Sequence, residues 1–290
     1  MKKNRKDKIL EVVAILLFLL YMIPFFLVVI NSSKPSLTII MDPLAFPKNP
    51  AQLIANIKTV FESPNVRYAS SFIASIIITV CSVALLVVSS SMGAWVLVRT
   101  KTKLSNVVFM VFVAAMVIPF QVVMFPLLSW FRLIEVNLGL ADTPLRLLQN
   151  YPGIIFAYLG FGSSLSIFLF HGFIKAVPLE LEEAATIDGC TKPGTFFKIV
   201  FPILTPITVT VIILNGIWIW NDYLLPLLVL GSSSAVQTLP LAIASFVGSF
   251  VRKWDLILTA TMMTMLPVII LFLILQKHII KGMVDGSVKG

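Results

Sequence analysis

The sequence predicts an all-α integral membrane protein with six transmembrane helices. Of its 290 residues, 58% are hydrophobic and 12% are charged, and the mean hydropathy is +1.00, so a soluble fold would have nowhere to bury the apolar surface. The apolar residues cluster into stretches of at least about 20 residues, the length with which a helix crosses the hydrocarbon core. They do not alternate with the period of two typical of a transmembrane β-barrel.

Six apolar stretches account for the predicted spans. They cover residues 9–31, 69–98, 105–130, 153–176, 203–230 and 256–280. The first stretch is long for a signal peptide and no small-residue cleavage site follows it, so we expect it to remain as a helix. These stretches divide the chain into an N-terminal tail at 1–8, a transmembrane domain at 9–280 and a C-terminal tail at 281–290.

The basic residues indicate the orientation. Most of the 22 Lys and Arg residues fall in the N-terminal tail, near residues 99–103, between 175 and 198, and in the C-terminal tail. By the positive-inside rule, both termini are expected to be cytoplasmic. The formal net charge of +9 is then explained by this topology and by contact with anionic lipid, and nucleic acid is not an expected partner.

The loops differ in character. Residues 32–68 contain several prolines and are expected to form an external loop with one surface helix, whose apolar residues would be Leu53, Ile54, Ile57 and Phe61. Residues 131–152 are also expected outside. The segment 177–202 is expected in the cytoplasm, and it carries glutamates, alanines and aromatic residues at helical spacings that a simple connection between two spans does not need.

A helix is predicted near the start of this cytoplasmic loop. Pro178 and three glutamates favour a helix N-terminus, because carboxylates are stabilised at the positive end of the dipole, and Gly189 favours its end. Helical spacing places Leu179, Glu183 and Ile187 on one stripe. This surface suits a second protein that supplies a cation, although an ordinary capped helix explains the same residues.

A second short helix is predicted after the turn. Phe196 and Val200, like Phe197 and Phe201, stand four residues apart, so they could anchor such a helix against the bundle or the membrane interface. The loop is therefore expected to form a rigid helix, turn and helix.

The cytoplasmic loop resembles the EAA loop of permease subunits in ABC importers. The similarity rests on the spacing of Glu183-Ala184-Ala185, Asp188-Gly189, Phe196, Pro202 and Pro206. Residues 118–121, 138–143, 220–223 and 286–290 are similar to carbohydrate permeases of the maltose type, above all to the second permease subunit. The resemblance covers nearly the whole chain.

The resemblance implies a type I ABC importer permease (MetI-like) fold in a bacterial inner membrane. The chain would import a sugar or oligosaccharide with a homologous second permease, two cytoplasmic ATPase subunits and an extracytoplasmic sugar-binding protein. ATP and magnesium would be bound by the ATPase subunits, and this chain would hold no cofactor. The residues implied in ATPase coupling are Glu183, Ala184, Ala185, Asp188, Gly189, Phe196 and Pro202.

The fifth predicted span carries candidate residues of the substrate pathway. Asn215 and Gly216 fall near the middle of the membrane, where the glycine lets the helix bend and the amide could meet a hydroxylated substrate, but packing between helices explains them equally well. Asn221 and Asp222 fall near the outer end. For Asp222 a structural role is favoured over proton relay, although an ionisable group in a span suggests function.

Other functions lack support in the sequence. Residues 189–195 lack the lysine of a phosphate-binding loop. His171 and His278 have no nearby metal ligands in the sequence, so no metal site is predicted. No nucleophile is paired with a base, so catalysis is not predicted either. Two alternatives remain open. The chain could be an ABC permease for a non-sugar solute such as an amino acid, or an ion-coupled secondary transporter, which would require ionisable residues in mid-membrane and inverted repeats.

Overall fold

The computed structural model describes residues 5–63, 66–232, 234–247 and 253–287; residues 1–4 and 288–290 of the predicted tails lie outside this range. The described chain is built of helices. They are α1 (Arg5–Asn31), α2 (Ser36–Met41), α3 (Gln52–Glu62), α4 (Tyr68–Thr100), α5 (Lys103–Ala115), α6 (Phe120–Asn137), α7 (Tyr151–Ile174), α8 (Glu180–Ile187), α9 (Lys192–Thr195), α10 (Phe201–Ile203), α11 (Thr205–Asn221), α12 (Leu224–Val229), α13 (Leu239–Ala244) and α14 (Trp254–Ser287).

Four of the described helices are long and apolar enough to cross a membrane. They are α1, α4, α7 and α14, and they coincide with four of the predicted apolar stretches. The remaining two stretches are bent pairs, α5 with α6 and residues 192–203 with α11, so the number of spans rises to six if each pair crosses once. The predicted all-α membrane fold is confirmed.

The bend between α5 and α6 interrupts the single apolar stretch expected at 105–130, whereas the bend before α11 falls at the predicted boundary between the loop at 177–202 and the span at 203–230. The axes of α5 and α6 differ by 107°, and those of residues 192–203 and α11 differ by 78°. Pro119 precedes the first turn of α6 and Pro206 lies in the first turn of α11, where a missing N–H is tolerated because it has no partner within the helix. Hydropathy does not reveal these breaks, because the residues beside them are apolar.

The described residues of 1–69 and 242–266 form one compact unit. Its polar centre is Lys34, whose side chain is almost fully buried. The Lys34 Nζ donates to Asn31 Oδ1 at 2.9 Å and to the carbonyl oxygens of Asp42 and Pro43 at 3.2 and 3.3 Å. These acceptors replace water around the buried ammonium, so the lysine holds the segment after α1 in a closed turn.

The predicted surface helix of the first loop is present as α3. The side that it buries carries Asn56 and Val60, whereas Ile54 and Phe61 are more than half exposed. Asn56 faces inward because its Nδ2 donates to the carbonyl oxygen of Ser32 at 2.9 Å. Of the four apolar residues expected on this helix, Leu53 and Ile57 are therefore half-buried beside Asn56 and Val60, and Ile54 and Phe61 lie on the exposed side.

The second unit comprises the described residues of 70–241 and 267–287. Helix α7 lies at its centre, because it packs against both α5 and α11 and half of its apolar span is buried. The largest buried side chains come from α4, α6, α7, α12 and the residues between α9 and α11. They include Leu86, Phe131, Ile154, Tyr158, Phe170, Ile174, Phe196, Leu204 and Leu225.

The loop between α6 and α7 is held by a buried carboxylate. Glu135, in the last turn of α6, has an exposed fraction of 7%. Its Oε1 accepts the backbone N–H groups of Leu147 at 2.6 Å and Leu148 at 2.7 Å. Gly153 is required beside it, since a Cβ there would lie 1.7 Å from the carbonyl oxygen of Leu147. The loop backbone therefore packs directly against the start of α7.

Candidate functional site

The loop at residues 177–202 forms a compact helical element between α7 and α11. Helix α8 starts with Glu180, Glu182 and Glu183 in its first turn, as the dipole favours. It ends at a turn in which Gly189 has a φ of +82°, with Gly189 N–H donating to Thr186 O at 3.0 Å and Cys190 N–H to Ala185 O at 2.9 Å. This pair of bonds is a Schellman motif, which satisfies the last carbonyl groups of the helix.

The end of α8 depends on the backbone freedom of Gly189. Changing Gly189 to alanine is expected to destabilise this turn by about 1 to 2 kcal/mol, because an L side chain disfavours the left-handed region. A Cβ there would meet nothing within 4 Å, so the cost is conformational and not steric. Hydrogen exchange of amides 186–190 should become faster.

The matched control for Gly189 is Gly172→Ala, which adds a methyl group in open space with no positive φ. This control should leave the exchange of amides 186–190 unchanged. Equal exchange in wild type and Gly189→Ala would contradict the role given to the turn.

Glu182 points into the chain and binds two residues of α4. Arg99 donates to its Oε1 from Nη2 at 2.7 Å and from Nε at 2.9 Å. The indole Nε1 of Trp95 donates to its Oε2 at 2.9 Å. The exposed fractions of the two side chains are 19% for Arg99 and 9% for Glu182, so this ion pair is largely shielded from water and is stronger than a surface pair.

The neighbouring residues of α8 point the other way. Glu183, Ala184 and Ile187 are exposed, with Ile187 at 86%. Leu179, which precedes the helix, is 39% exposed. The predicted stripe of a glutamate among aliphatic side chains therefore exists on the exposed side of α8. On the opposite side of the same helix, Glu182 bonds α8 to α4.

The other predicted coupling residues divide between the outer surface and the interior. Asp188 and Gly189 are exposed at the end of α8, and Pro202 is exposed in α10. Ala185 and Phe196 are buried, with exposed fractions of 7% and 1%. Ala185 lies on the inward side of α8, whereas its neighbour Ala184 lies on the outward side, because adjacent residues of a helix point in different directions.

The second helix of the loop is less regular than expected. Short helix α9 is followed by a π-helical stretch at Phe196–Val200 and then by α10. Phe201 N–H donates to the carbonyl oxygen of Phe196, five residues earlier. Pro202 follows directly, and its ring would collide with the carbonyl group four residues before it in an α-helix. The wider π turn removes this conflict.

Phe196 anchors the π-helical stretch to α4. Its ring lies 5.2 Å from the indole of Trp95, between ring centroids, and 5.0 Å from the ring of Phe197. Trp95 therefore contacts Phe196 with its ring and Glu182 with its N–H group. One residue of α4 joins both helical parts of the loop.

The candidate pathway residues are not all in one place. Asn215 is buried and its Nδ2 donates to Ser166 Oγ at 3.1 Å and to Val211 O at 3.0 Å. It lines a groove of about 610 Å³ together with aromatic and small residues of α6, α7 and α11. The residues that line this groove include Trp130, Phe156, Ser164, Asn215 and Trp218.

The other three pathway candidates, which the structure also describes, lie outside this groove. Helix α11 continues through Gly216 without a break, so no bend is found there. The amide of Asn221 donates to Ile217 O of its own helix at 2.8 Å. Asp222 accepts the Tyr158 hydroxyl at 3.1 Å and the Leu224 N–H at 3.0 Å. The carboxylate therefore stabilises the turn between α11 and α12, in agreement with the structural role favoured from the sequence.

Several residues of the site were missed in the sequence. Trp95 and Arg99 stand four residues apart in the last turns of α4, a spacing that places them on one side of a helix. That spacing is the feature of the sequence from which a shared partner of these two residues could have been suspected. Their common partner Glu182 is more than 80 residues away, and no local pattern indicates which of two successive glutamates faces them.

The fold is that of a multi-pass membrane protein whose loop between α7 and α11 carries the short helix α8 with an exposed outer side. The model of the family described as "Binding-protein-dependent transport system inner membrane component" matches residues 86–285. The chain belongs to this family, so the resemblance to ABC importer permeases is confirmed and the chain is a transport permease subunit.

Similar proteins carry names of sugar transport systems. The chain is 37% identical over 290 residues, the whole of both chains, to the probable starch degradation products transport system permease protein AmyC of Thermoanaerobacterium thermosulfurigenes. It is 40% identical over 222 residues, 76% of each chain, to the melibiose/raffinose/stachyose import permease protein MelC of Bacillus subtilis. It is 35% identical to the multiple sugar-binding transport system permease protein MsmG of Streptococcus mutans, over 93% of each chain.

A solved structure has the same fold. It is a chain of a bacterial ABC transporter involved in the import of the acidic polysaccharide alginate, with a TM-score of 0.74 and 20% sequence identity. The match covers 96% of this chain and 99% of that one. It supports the permease fold and, at this identity, nothing about the solute.

Proposed function

We propose that this chain is one of two permease subunits of an ATP-driven, binding-protein-dependent importer of a sugar or oligosaccharide. It forms half of the translocation pathway, and a homologous permease forms the other half. The names of the relatives AmyC, MelC and MsmG all refer to carbohydrates, which favours a sugar over an amino acid. The class of transporter is inferred from the family, and the class of solute is inferred from these relatives.

The observation that carries the proposal is the geometry of α8. Its outer surface presents Glu183 beside Ala184 and Ile187, and its inner surface is fixed by Glu182. A carboxylate in an apolar setting is a strong partner for a cation once both are removed from water. The partner proposed is a cytoplasmic ATPase subunit, two of which bind ATP and magnesium for the complex.

The proposed orientation places α8 and both termini in the cytoplasm. Six crossings, with each bent pair counted once, return the chain to the side from which it started. The basic residues of the loop, among them Lys175, Lys192 and Lys198, lie on the side that the positive-inside rule assigns to the cytoplasm. A sugar-binding protein then delivers the solute at the opposite surface of the bacterial inner membrane.

The groove beside Asn215 is the proposed contribution of this chain to the pathway. Trp130, Phe156 and Trp218 are each between 41% and 51% exposed along it. Aromatic rings offer broad apolar surfaces, and a few amide or hydroxyl groups fix the orientation of a ligand. Asn215 and Ser164 are the polar groups of this lining, and both are buried behind the aromatic rings in this structure.

Reconstitution tests the proposed function. The chain is assembled in proteoliposomes with its partner permease, its ATPase subunits and the binding protein of the same system. Uptake of labelled oligosaccharides is compared with uptake of amino acids, with and without ATP inside and with an ionophore that collapses ion gradients. ATP-dependent, ionophore-resistant oligosaccharide uptake is expected. Uptake of a non-sugar alone would contradict the sugar assignment, and uptake that needs only an ion gradient would contradict the importer class.

A further inference from the structure

Arg99 occupies the point where three elements of the cytoplasmic side meet. It lies in the last turn of α4, and its Nη2 donates both to Glu182 Oε1 of α8 and to the carbonyl oxygen of Val177, which follows α7, at 3.0 Å. The guanidinium group has several donors in one rigid plane, so a single side chain can hold both acceptors at once.

The covalent connection between α7 and α8 is short and is not a continuous helix. It runs from Lys175 to Leu179 and contains Pro178. Proline has no N–H for a backbone hydrogen bond, and it disfavours helical geometry at the residue before it. The orientation of α8 relative to the spans therefore depends on noncovalent contacts, and the described contacts of Glu182 with Arg99 and Trp95 are charge-assisted and directional.

The same contacts reach the fifth predicted span. The ring of Trp95 packs on Phe196, at the start of the π-helical stretch that leads through α10 into α11. The end of α4 thus contacts α8 through Glu182 and packs on the stretch that precedes α11.

We propose that Arg99 is a positioning residue that transmits displacement of α8 to the cytoplasmic end of α4. The inference rests on the proposed function, in which an ATPase subunit moves α8. The two glutamates of α8 then have separate tasks: Glu183 receives the movement at the outer surface, and Glu182 passes it to Arg99. Loss of the Arg99 contact should leave a complex that hydrolyses ATP without moving the solute efficiently.

The test uses the complete complex in proteoliposomes and measures solute uptake per ATP hydrolysed. In Arg99→Met, assembly by co-purification and ATP hydrolysis should be largely retained, whereas the uptake-to-hydrolysis ratio should fall by about tenfold, a usual size for coupling between sites. Arg99→Lys keeps the charge but loses the planar fork, so its ratio should be intermediate. Glu182→Arg combined with Arg99→Glu should recover part of the ratio lost in either single variant.

Lys103→Met is the matched control, because it removes a positive charge from an exposed residue at the same side of the membrane; its ratio should equal that of wild type. An unchanged ratio in Arg99→Met overturns the inference. So does a parallel fall of assembly, hydrolysis and uptake in both Arg99→Met and Arg99→Lys, which is the result of a purely structural role.

The solute for this ratio is the one that the wild-type complex takes up. Uptake of a non-sugar therefore contradicts the sugar assignment while the ratio for Arg99 is still measured. A wild-type complex with no ATP-dependent uptake of any solute contradicts the proposed function and the inference together.

Discussion

Changing Glu183 to alanine is expected to leave the subunit folded and to abolish transport by the assembled importer. The carboxylate lies on the exposed side of α8, so its removal leaves no cavity inside the chain. At an interface the same removal strands the cation of the partner, which costs about 2 to 5 kcal/mol when the pair is buried in the complex. Binding of the ATPase should therefore weaken by at least about tenfold.

The measurement is co-purification of the ATPase with the permease, followed by uptake in proteoliposomes. Glu180→Ala is the matched control, because it removes a second exposed carboxylate from the first turn of the same helix but lies off the stripe of Leu179, Glu183 and Ile187. Its loss of affinity should be clearly smaller. A Glu183→Ala subunit that assembles and transports at the wild-type rate would contradict the docking role of α8.

Changing Glu135 to alanine is expected to have the largest effect on stability outside the loop at residues 177–202. It leaves the N–H groups of Leu147 and Leu148 without their acceptor. Hydrogen bonds to a charged group contribute about 1.5 to 3 kcal/mol each, and water can replace part of this at a loop. We therefore expect a loss of about 2 to 4 kcal/mol in local stability, measured as faster hydrogen exchange at these two amides.

Two controls separate the hydrogen bonds from the charge. Glu135→Gln keeps an oxygen that can accept both N–H groups, so it should lose less than Glu135→Ala. Glu62→Ala removes an exposed carboxylate whose pair with Lys58 spans 3.7 Å, and such a pair contributes less than about 1 kcal/mol. Equal exchange at Leu147 and Leu148 in wild type and Glu135→Ala would show that Glu135 does not hold the loop.

The sequence was sufficient for the class of fold because hydropathy is a property of whole stretches. Helices α1, α4, α7 and α14 begin and end within a few residues of the predicted stretches, apart from the longer C-terminus of α14. The two bent pairs were not predicted, because a break between apolar residues changes direction without changing hydropathy. Pro119 marks one break, yet a proline is also tolerated inside a span, as Pro126 is in α6.

The site was predicted in part, and for a similar reason. Helical spacing correctly put Glu183 and Ile187 on one side of α8, because that relation is local. Which glutamate faces inward depends on Arg99 and Trp95, which come from α4. The burial of Lys34 likewise depends on carbonyl groups of the turn that follows it. Interactions of this kind become visible only when the chain is folded.

The π-helical stretch at Phe196–Val200 makes the orientation of α11 relative to α8 depend on the number of residues between these two helices. One residue of α-helix corresponds to a rotation of about 100°, and a π turn accommodates one residue more than an α turn does. Deleting one residue here would force α-helical geometry, in which Pro202 conflicts with the carbonyl group four residues before it, and would turn Phe196 away from Trp95 or rotate α11 relative to α8. Homologues that keep this docking geometry should therefore vary in side chains between α8 and α11 and keep the number of residues constant.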